Sequence, residues 1–312
     1  MDSLFTGSAE VIKYPVFELP FTGHINRKLL IEELIKFKPT ILHCLCESKA
    51  LLTKQLARRL DLPYVLMVNS LQKGLTRFSF SSRRCVKIIT PAQSIAADIS
   101  EAYPRFAERI EQIGIGTFID ESNRCFSKRS HSAIIVMACP LDNVDDFENV
   151  FSAVRHLVIE GYEFMMVVTG GGRAEGRLRE LLAALGLLQI VTVVPRLRPW
   201  RPIVATGDIF IQPQPNPAFN PLLLESMSAG LAIAACKGGV DDLIIEDETA
   251  VVFDPDDELS IVGALQRLLD KREFARKIAK NAQQHLKENH TVGNMISSIL
   301  QTYQDTEKWL KG

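Results

Sequence analysis

Short apolar segments alternate with helical ones along almost the whole chain, and this alternation restricts the fold more than any single motif. Strands are predicted over Val11–Val16, Thr40–Leu45, Tyr64–Val68, Val86–Thr90 and Arg109–Ile115, with helices over Arg27–Phe37, Lys49–Leu60 and Ala92–Ala102 between them. Polar residues then cluster over Ser122–Ser132, which reads as a linker. The pattern restarts with strands over Ala133–Ala138, Phe164–Thr169, Ile190–Val194, Ile209–Gln212, Leu231–Ala235 and Val251–Phe253. Strands separated by helices pair in parallel sheets covered on both faces. The expected fold class is α/β, two doubly wound Rossmann-like domains facing a cleft, with ligand at the carboxyl ends of the strands. The expected divisions are residues 1–128, 129–290 and 291–312. Helix is also expected over Ala264–Glu288 and His290–Leu310.

Composition removes several function classes. The 312 residues suit two domains of ordinary size, and 46% hydrophobic with 23% charged residues describes a folded, soluble chain. With 36 basic and 37 acidic side chains the net charge is −1, so nucleic acid is not an expected partner. No apolar run reaches the roughly 20 residues needed to cross a bilayer, and Met1–Gly7 lacks a signal-peptide pattern. A cytoplasmic protein with at most peripheral membrane contact is expected. The six cysteines are scattered, mostly in apolar runs, without C-x-x-C pairs, so reduced, buried thiols are expected and no metal. Gly170, Gly171 and Gly172 follow a strand, but Arg173 breaks the G-x-G-x-x-G spacing and no acidic residue ends the next strand, so a dinucleotide cofactor is not expected.

The segment Asn216–Asp242, NPAFNPLLLESMSAGLAIAACKGGVDD, carries the chemistry. Asn220 as N-cap, Pro221 at the first helical position and Gly230 past the end predict a short helix over Pro221–Ala229. It is almost wholly apolar or small and therefore buried, with Glu225 as its one charge. A buried carboxylate needs a cation, backbone donors or a ligand hydroxyl. A structural ion pair and a ligand site both satisfy that need.

This segment resembles the donor-binding signature of family-4 (group 1) retaining glycosyltransferases of the GT-B fold, in which two glutamates flank a short Gly-containing loop and a helix start. Glu225 falls on the second glutamate, which in that family holds the ribose of a nucleotide sugar, and Pro217 stands at the first. The resemblance runs from about Glu10 to the C-terminus through SRRCVKIITPAQSIAADI, RIEQIGIGTFID, VVTGGGRAEGRLRELLAALGL and KGGVDDLIIEDETAVVFDPDD. It implies a second domain that binds the nucleotide sugar, a final helix that crosses back to the first domain, and a first domain shortened by a strand and a Gly-rich turn.

The donor-binding residues that the resemblance implies are Glu225, Asn220, the amides of Leu222 and Leu223, and Gly171. Pro217 and Pro221 have no amide to give. The leaving diphosphate gathers negative charge, which cations or amides must stabilise. Where the family carries an Arg and a Lys, this chain has Pro140 and Asp145, among Asp142 and Asp146. Six arginines, Arg173, Arg177, Arg179, Arg196, Arg198 and Arg201, stand near strand ends, and Arg173 and Arg196 immediately follow strands. On the acceptor side the implied residues are His43 and Asn69, Asn69 replacing a histidine. The expected function is transfer of a sugar from a nucleotide-diphosphate sugar, a substrate rather than a cofactor, to an unidentified acceptor. The alternatives are a non-catalytic relative acting as a donor-binding or partner subunit, with a protein partner or a second copy of the chain, and a nucleotide-sugar epimerase.

Overall fold

The computed structural model describes residues 23–71, 80–122, 125–127, 132–195 and 201–309. The expected strand Val11–Val16 lies outside them. The chain divides into two compact units, the first made of Met1–Val68, Thr76–Ile89 and Gln301–Gly312, the second of Asn69–Leu75 and Thr90–Leu300.

In the first unit, helix α1 (Gly23–Phe37) packs on α2 (Ala50–Leu60), and strands β1 (Leu42–Cys44), β2 (Tyr64–Met67) and β3 (Cys85–Thr90, all but its last residue) form a parallel sheet in that order. β1 is shorter than the predicted Thr40–Leu45. Tyr64, Val65, Leu66, Ile88 and Ile89 are buried on this sheet. The described part of helix α10 (Val292–Trp309) beyond Leu300 belongs to this unit, where the Tyr303 hydroxyl lies 2.6 Å from His43 Nδ1.

The second unit includes α3 (Gln93–Ala102) and β4 (Ile110–Gln112), less than half the length expected for Arg109–Ile115. It then builds a six-stranded parallel sheet from β5 (Ala133–Ala138), β6 (Phe164–Gly170), β7 (Val191–Pro195), β8 (Ile209–Gln212), β9 (Ala232–Cys236) and β10 (Val251–Phe253), in the order β10-β9-β8-β5-β6-β7. Helices α4 (Glu148–Ile159), α5 (Glu175–Ala184), α6 (Arg201–Val204), α7 (Pro221–Ser228), α8 (Glu258–Asp270) and α9 (Arg272–Asn289) connect and cover it. β8 and β9 are buried at every residue, as continuous apolar runs in a parallel sheet should be. Two parallel α/β sheets are what the alternation predicts.

Two expectations are corrected. Ala264–Glu288 is not one helix: α8 ends at Asp270 and α9 starts at Arg272, because Lys271 leaves helical geometry at φ −105°, ψ 66°. Within the polar segment Ser122–Ser132, Cys125 and Phe126 are fully inside the core and the Phe126 carbonyl accepts from Arg276 Nη2 at 2.7 Å. Of the six cysteines, all free, Cys46 is exposed and Cys139 half-buried rather than buried. Burial pushes the Cys125, Cys139 and Cys236 thiols up to about 12, which makes them inert. No helix among the described residues is long and apolar enough to cross a membrane.

The corner between α9 and α10 holds His290, whose Nδ1 lies 3.0 Å from the Ile115 carbonyl and whose own carbonyl accepts from Thr117 N at 2.9 Å. Burial lowers the proton affinity of His290 and of its neighbour His285, so both are held neutral in the fold. A histidine with a depressed folded value keeps full stability above its unfolded value of 6.5 and loses it as pH falls through that value to the lower folded one. Thermal unfolding should therefore show a midpoint that falls as the pH is lowered through the unfolded value of 6.5 toward the lower folded one. A midpoint independent of pH over that window would contradict neutral, buried rings.

Candidate functional site

In the second sheet the connections run from β5 to β6 on one side and from β7 to β8 on the other, so the strand order reverses between β5 and β8. A crevice at the carboxyl ends of these two strands is the expected ligand position in a doubly wound sheet. It is bordered by the loop after β5 (139–147), the loop after β6 (171–174) and the segment 213–220 leading into α7. Gln214 Nε2 donates to the Asp146 carbonyl and ties the first of these to the last.

Helix α7 begins as its sequence dictates. Asn220 adopts extended geometry, φ −94°, ψ 98°, and Pro221 follows at the first helical position. Asn220 Oδ1 accepts from Leu222 N at 3.0 Å and from Leu223 N at 3.3 Å. Both amides implied as phosphate donors are thus engaged by a side chain. Asn220 Nδ2 in turn donates to Gln212 Oε1 at 2.8 Å, and Gln212, at the end of β8, is only 3% exposed. No sequence signal announces this partner of Asn220, because Gln212 ends the apolar run IFIQ.

Glu225 lies one helical turn further on, its side chain 22% exposed. Thr117 Oγ1 donates to its Oε1 at 2.9 Å, and Arg201 Nη1 stands 3.5 Å from its Oε2. Arg201 also donates through Nη2 to the Phe118 carbonyl. The carboxylate therefore has the cation and hydroxyl that its partial burial requires. Thr117 and Arg201 sit far from Glu225 in sequence, and only the fold brings them to it.

The remaining implied residues separate. Asn69 reaches the segment leading into α7: its carbonyl accepts from Phe219 N at 2.8 Å, Ser70 bridges Ala218, and Leu71 N donates to the Pro217 carbonyl at 2.7 Å. His43 belongs to the first unit, where burial lowers its proton affinity and Tyr303 takes one ring nitrogen. Arg173 Nε donates to the Asp142 carbonyl at 3.3 Å, and the Gly171 carbonyl accepts from Leu141 N at 3.3 Å, so both pin the loop after β6 to the loop after β5. Arg196 lies outside the described residues. In the loop after β5, Asn143 bonds Asp146 Oδ1 at 3.0 Å and Asp145 N at 3.3 Å, leaving an acidic turn at the crevice.

Comparison with known proteins agrees with this geometry. The chain is 23% identical to the sulfoquinovosyl transferase SQD2 of Arabidopsis thaliana, over 88% of this chain and 60% of that protein, so it spans less than two thirds of this relative's length. It is 22% identical to the uncharacterized glycosyltransferase YqgM of Bacillus subtilis, over 97% of this chain and 88% of that one. Among solved structures, a glycosyltransferase from Rickettsia africae ESF-5 superposes with a TM-score of 0.77 at 16% identity, covering 96% of this chain and 85% of that chain. Anabaena Alr3699/HepE in complex with UDP-glucose superposes with a TM-score of 0.76 at 16% identity, covering 93% and 85%. These likenesses show a GT-B fold. The family model for glycosyl transferases group 1 matches residues 119–285, more than half of the chain and all of the sheet just described. The chain belongs to the group 1 glycosyl transferases.

Proposed function

We propose that this chain transfers a sugar from a nucleoside-diphosphate sugar to an acceptor, as a retaining transferase of the family-4 type. The observation that carries the reading is Glu225: a partly exposed carboxylate just past the switch point, oriented by Thr117 and Arg201. Such a carboxylate accepts from ribose hydroxyls, and the guanidinium beside it adds positive charge near the developing diphosphate. The complex of Alr3699/HepE with UDP-glucose supports this donor class. The reading requires no bound cofactor and puts the reaction in the cytoplasm. In isothermal titration calorimetry, Glu225→Ala should bind UDP or GDP at least about tenfold more weakly than the parent, the usual loss for a charged hydrogen-bond partner. Equal affinities would remove Glu225 from the site.

A second reading is favoured by the acidic turn after β5 and by Asn220 on the α7 amides, namely a donor-binding or partner subunit with weakened transfer, working with a protein partner or a second copy of the chain. Turnover with any member of a panel of nucleotide sugars would exclude it, whereas nucleotide binding without turnover, together with a co-purifying partner, would favour it.

A further inference from the structure

We infer that the Asn220 side chain is a built-in competitor for the donor's phosphate: it occupies the anion position at the start of α7 in the free protein, and the ligand must displace it. This rests on the nucleoside-diphosphate reading above and adds to it the residue that sets donor affinity.

A helix start offers unpaired amides and a positive dipole end, which suit an anion. Here the amides of Leu222 and Leu223 are taken by Asn220 Oδ1. That contact fixes the orientation of the amide group, because an oxygen must face two N–H donors. Asn220 Nδ2 then points to Gln212 Oε1, which fixes Gln212 in turn. The consequence is an orphan: Gln212 Nε2 is buried without a hydrogen-bond partner among the described residues, in a side chain whose residue is only 3% exposed. Buried polar groups are almost always paired, so an unpaired donor beside a helix start marks a position meant for an acceptor. Two amide donors at the start of α7 are thus masked by a neutral carbonyl oxygen, and a third donor, on the side chain that Asn220 Nδ2 holds, is unused. A phosphate oxygen carries more charge than that carbonyl and would take the two amides from it, and the Asn220 side chain so displaced would release Gln212 as well. Because the loop after β5 brings Asp142, Asp145 and Asp146 rather than cations, the α7 amides carry a larger share of phosphate binding, and masking them matters more.

Asn220→Gly is the direct test. Glycine is nearly as good an N-cap and readily adopts the backbone angles of this position, so the fold survives while the amides are unmasked. UDP should bind this variant about twofold more tightly than the parent by calorimetry, the change that the small difference between an asparagine cap and a glycine cap allows. Its thermal midpoint should fall slightly at the same time, and a purely structural cap would not move stability and affinity in opposite directions. Asn220→Asp places a carboxylate on the amides and should bind UDP at least about tenfold more weakly, since the like charge competes harder. Equal or weaker UDP binding by Asn220→Gly, with the Glu225→Ala loss still present, overturns this inference and leaves the donor reading standing. Failure of both the parent and Asn220→Gly to bind UDP or GDP overturns the two together.

Discussion

Asp208→Ala should destabilise the second unit by about 4 kcal/mol, the sum expected when a buried carboxylate leaves two backbone N–H groups without acceptors. Asp208 is 3% exposed and stands immediately before β8. One of its oxygens accepts from Phe126 N and the other from Ile134 N at 3.0 Å. Its main chain also bridges the sheet, donating to the Ile134 carbonyl at 2.8 Å and accepting from Ala232 N at 2.9 Å. The side chain thus clamps the turn at Cys125–Phe126 to the start of β5 and β8, and Phe126 sits there with a left-handed backbone, φ 53°. Removing the carboxylate strands both amides in the core and releases a residue held in an unfavourable conformation. Urea unfolding should show the midpoint shift with the slope unchanged. Asp208→Asn keeps one acceptor oxygen and should lose about half as much. A loss under about 1 kcal/mol for Asp208→Ala would mean that water reaches the two amides and that the clamp is not structural.

What the sequence displays and what it hides follow from the range of the interactions. β5, β8 and β10 are legible to the residue because each is a short apolar run bounded by polar or turn residues, and α7 because Asn-Pro announces its start. The break at Lys271 is not legible, since no Gly or Pro marks it and the apolar spacing continues across it. The start of the same helix does carry a signal in DPDDELS, where Asp257 Oδ1 accepts from Leu259 N at 2.9 Å as an N-cap. Cys125 and Phe126 are masked by the polar residues around them, and only their contact with Asp208 and Arg276 makes them core. Within the site, Glu225 is visible as a lone charge in an apolar helix, but its partners Thr117 and Arg201 arrive through tertiary structure. The three glycines at the end of β6 and just after it are conspicuous and invite a nucleotide reading. The structure assigns Gly170 and Gly172 a packing role: a Cβ on Gly170 would lie 2.0 Å from the Cys139 carbonyl oxygen, and one on Gly172 would lie 2.1 Å from that of Leu141. Close backbone approach, not ligand contact, excludes a side chain there.

Gly239→Ala should both unfold and disarm the second unit, with a stability loss of about 3 kcal/mol or more and no detectable UDP binding. Gly239 has φ 72°, which an L side chain adopts only at about 1–2 kcal/mol. In addition, a Cβ there would stand 2.2 Å from the Asn216 carbonyl oxygen and 2.6 Å from its carbonyl carbon, so the segment carrying Asn216 must move. That segment is held by Val240 N donating to the same oxygen at 2.7 Å and by Asn216 Oδ1 accepting from Ala218 N at 3.0 Å. Displacing it shifts Pro217–Phe219, and with them Asn220 and the start of α7, so the collision is transmitted to the helix amides. Gly161→Ala provides the contrast, because Gly161 has φ 90° and a Cβ added there would meet nothing within 4 Å, so it incurs the backbone term alone. The difference between the two variants in urea unfolding isolates the collision, expected at about 1–3 kcal/mol. Equal losses, or UDP binding retained by Gly239→Ala at the parent's affinity, would show that the loop yields without disturbing α7.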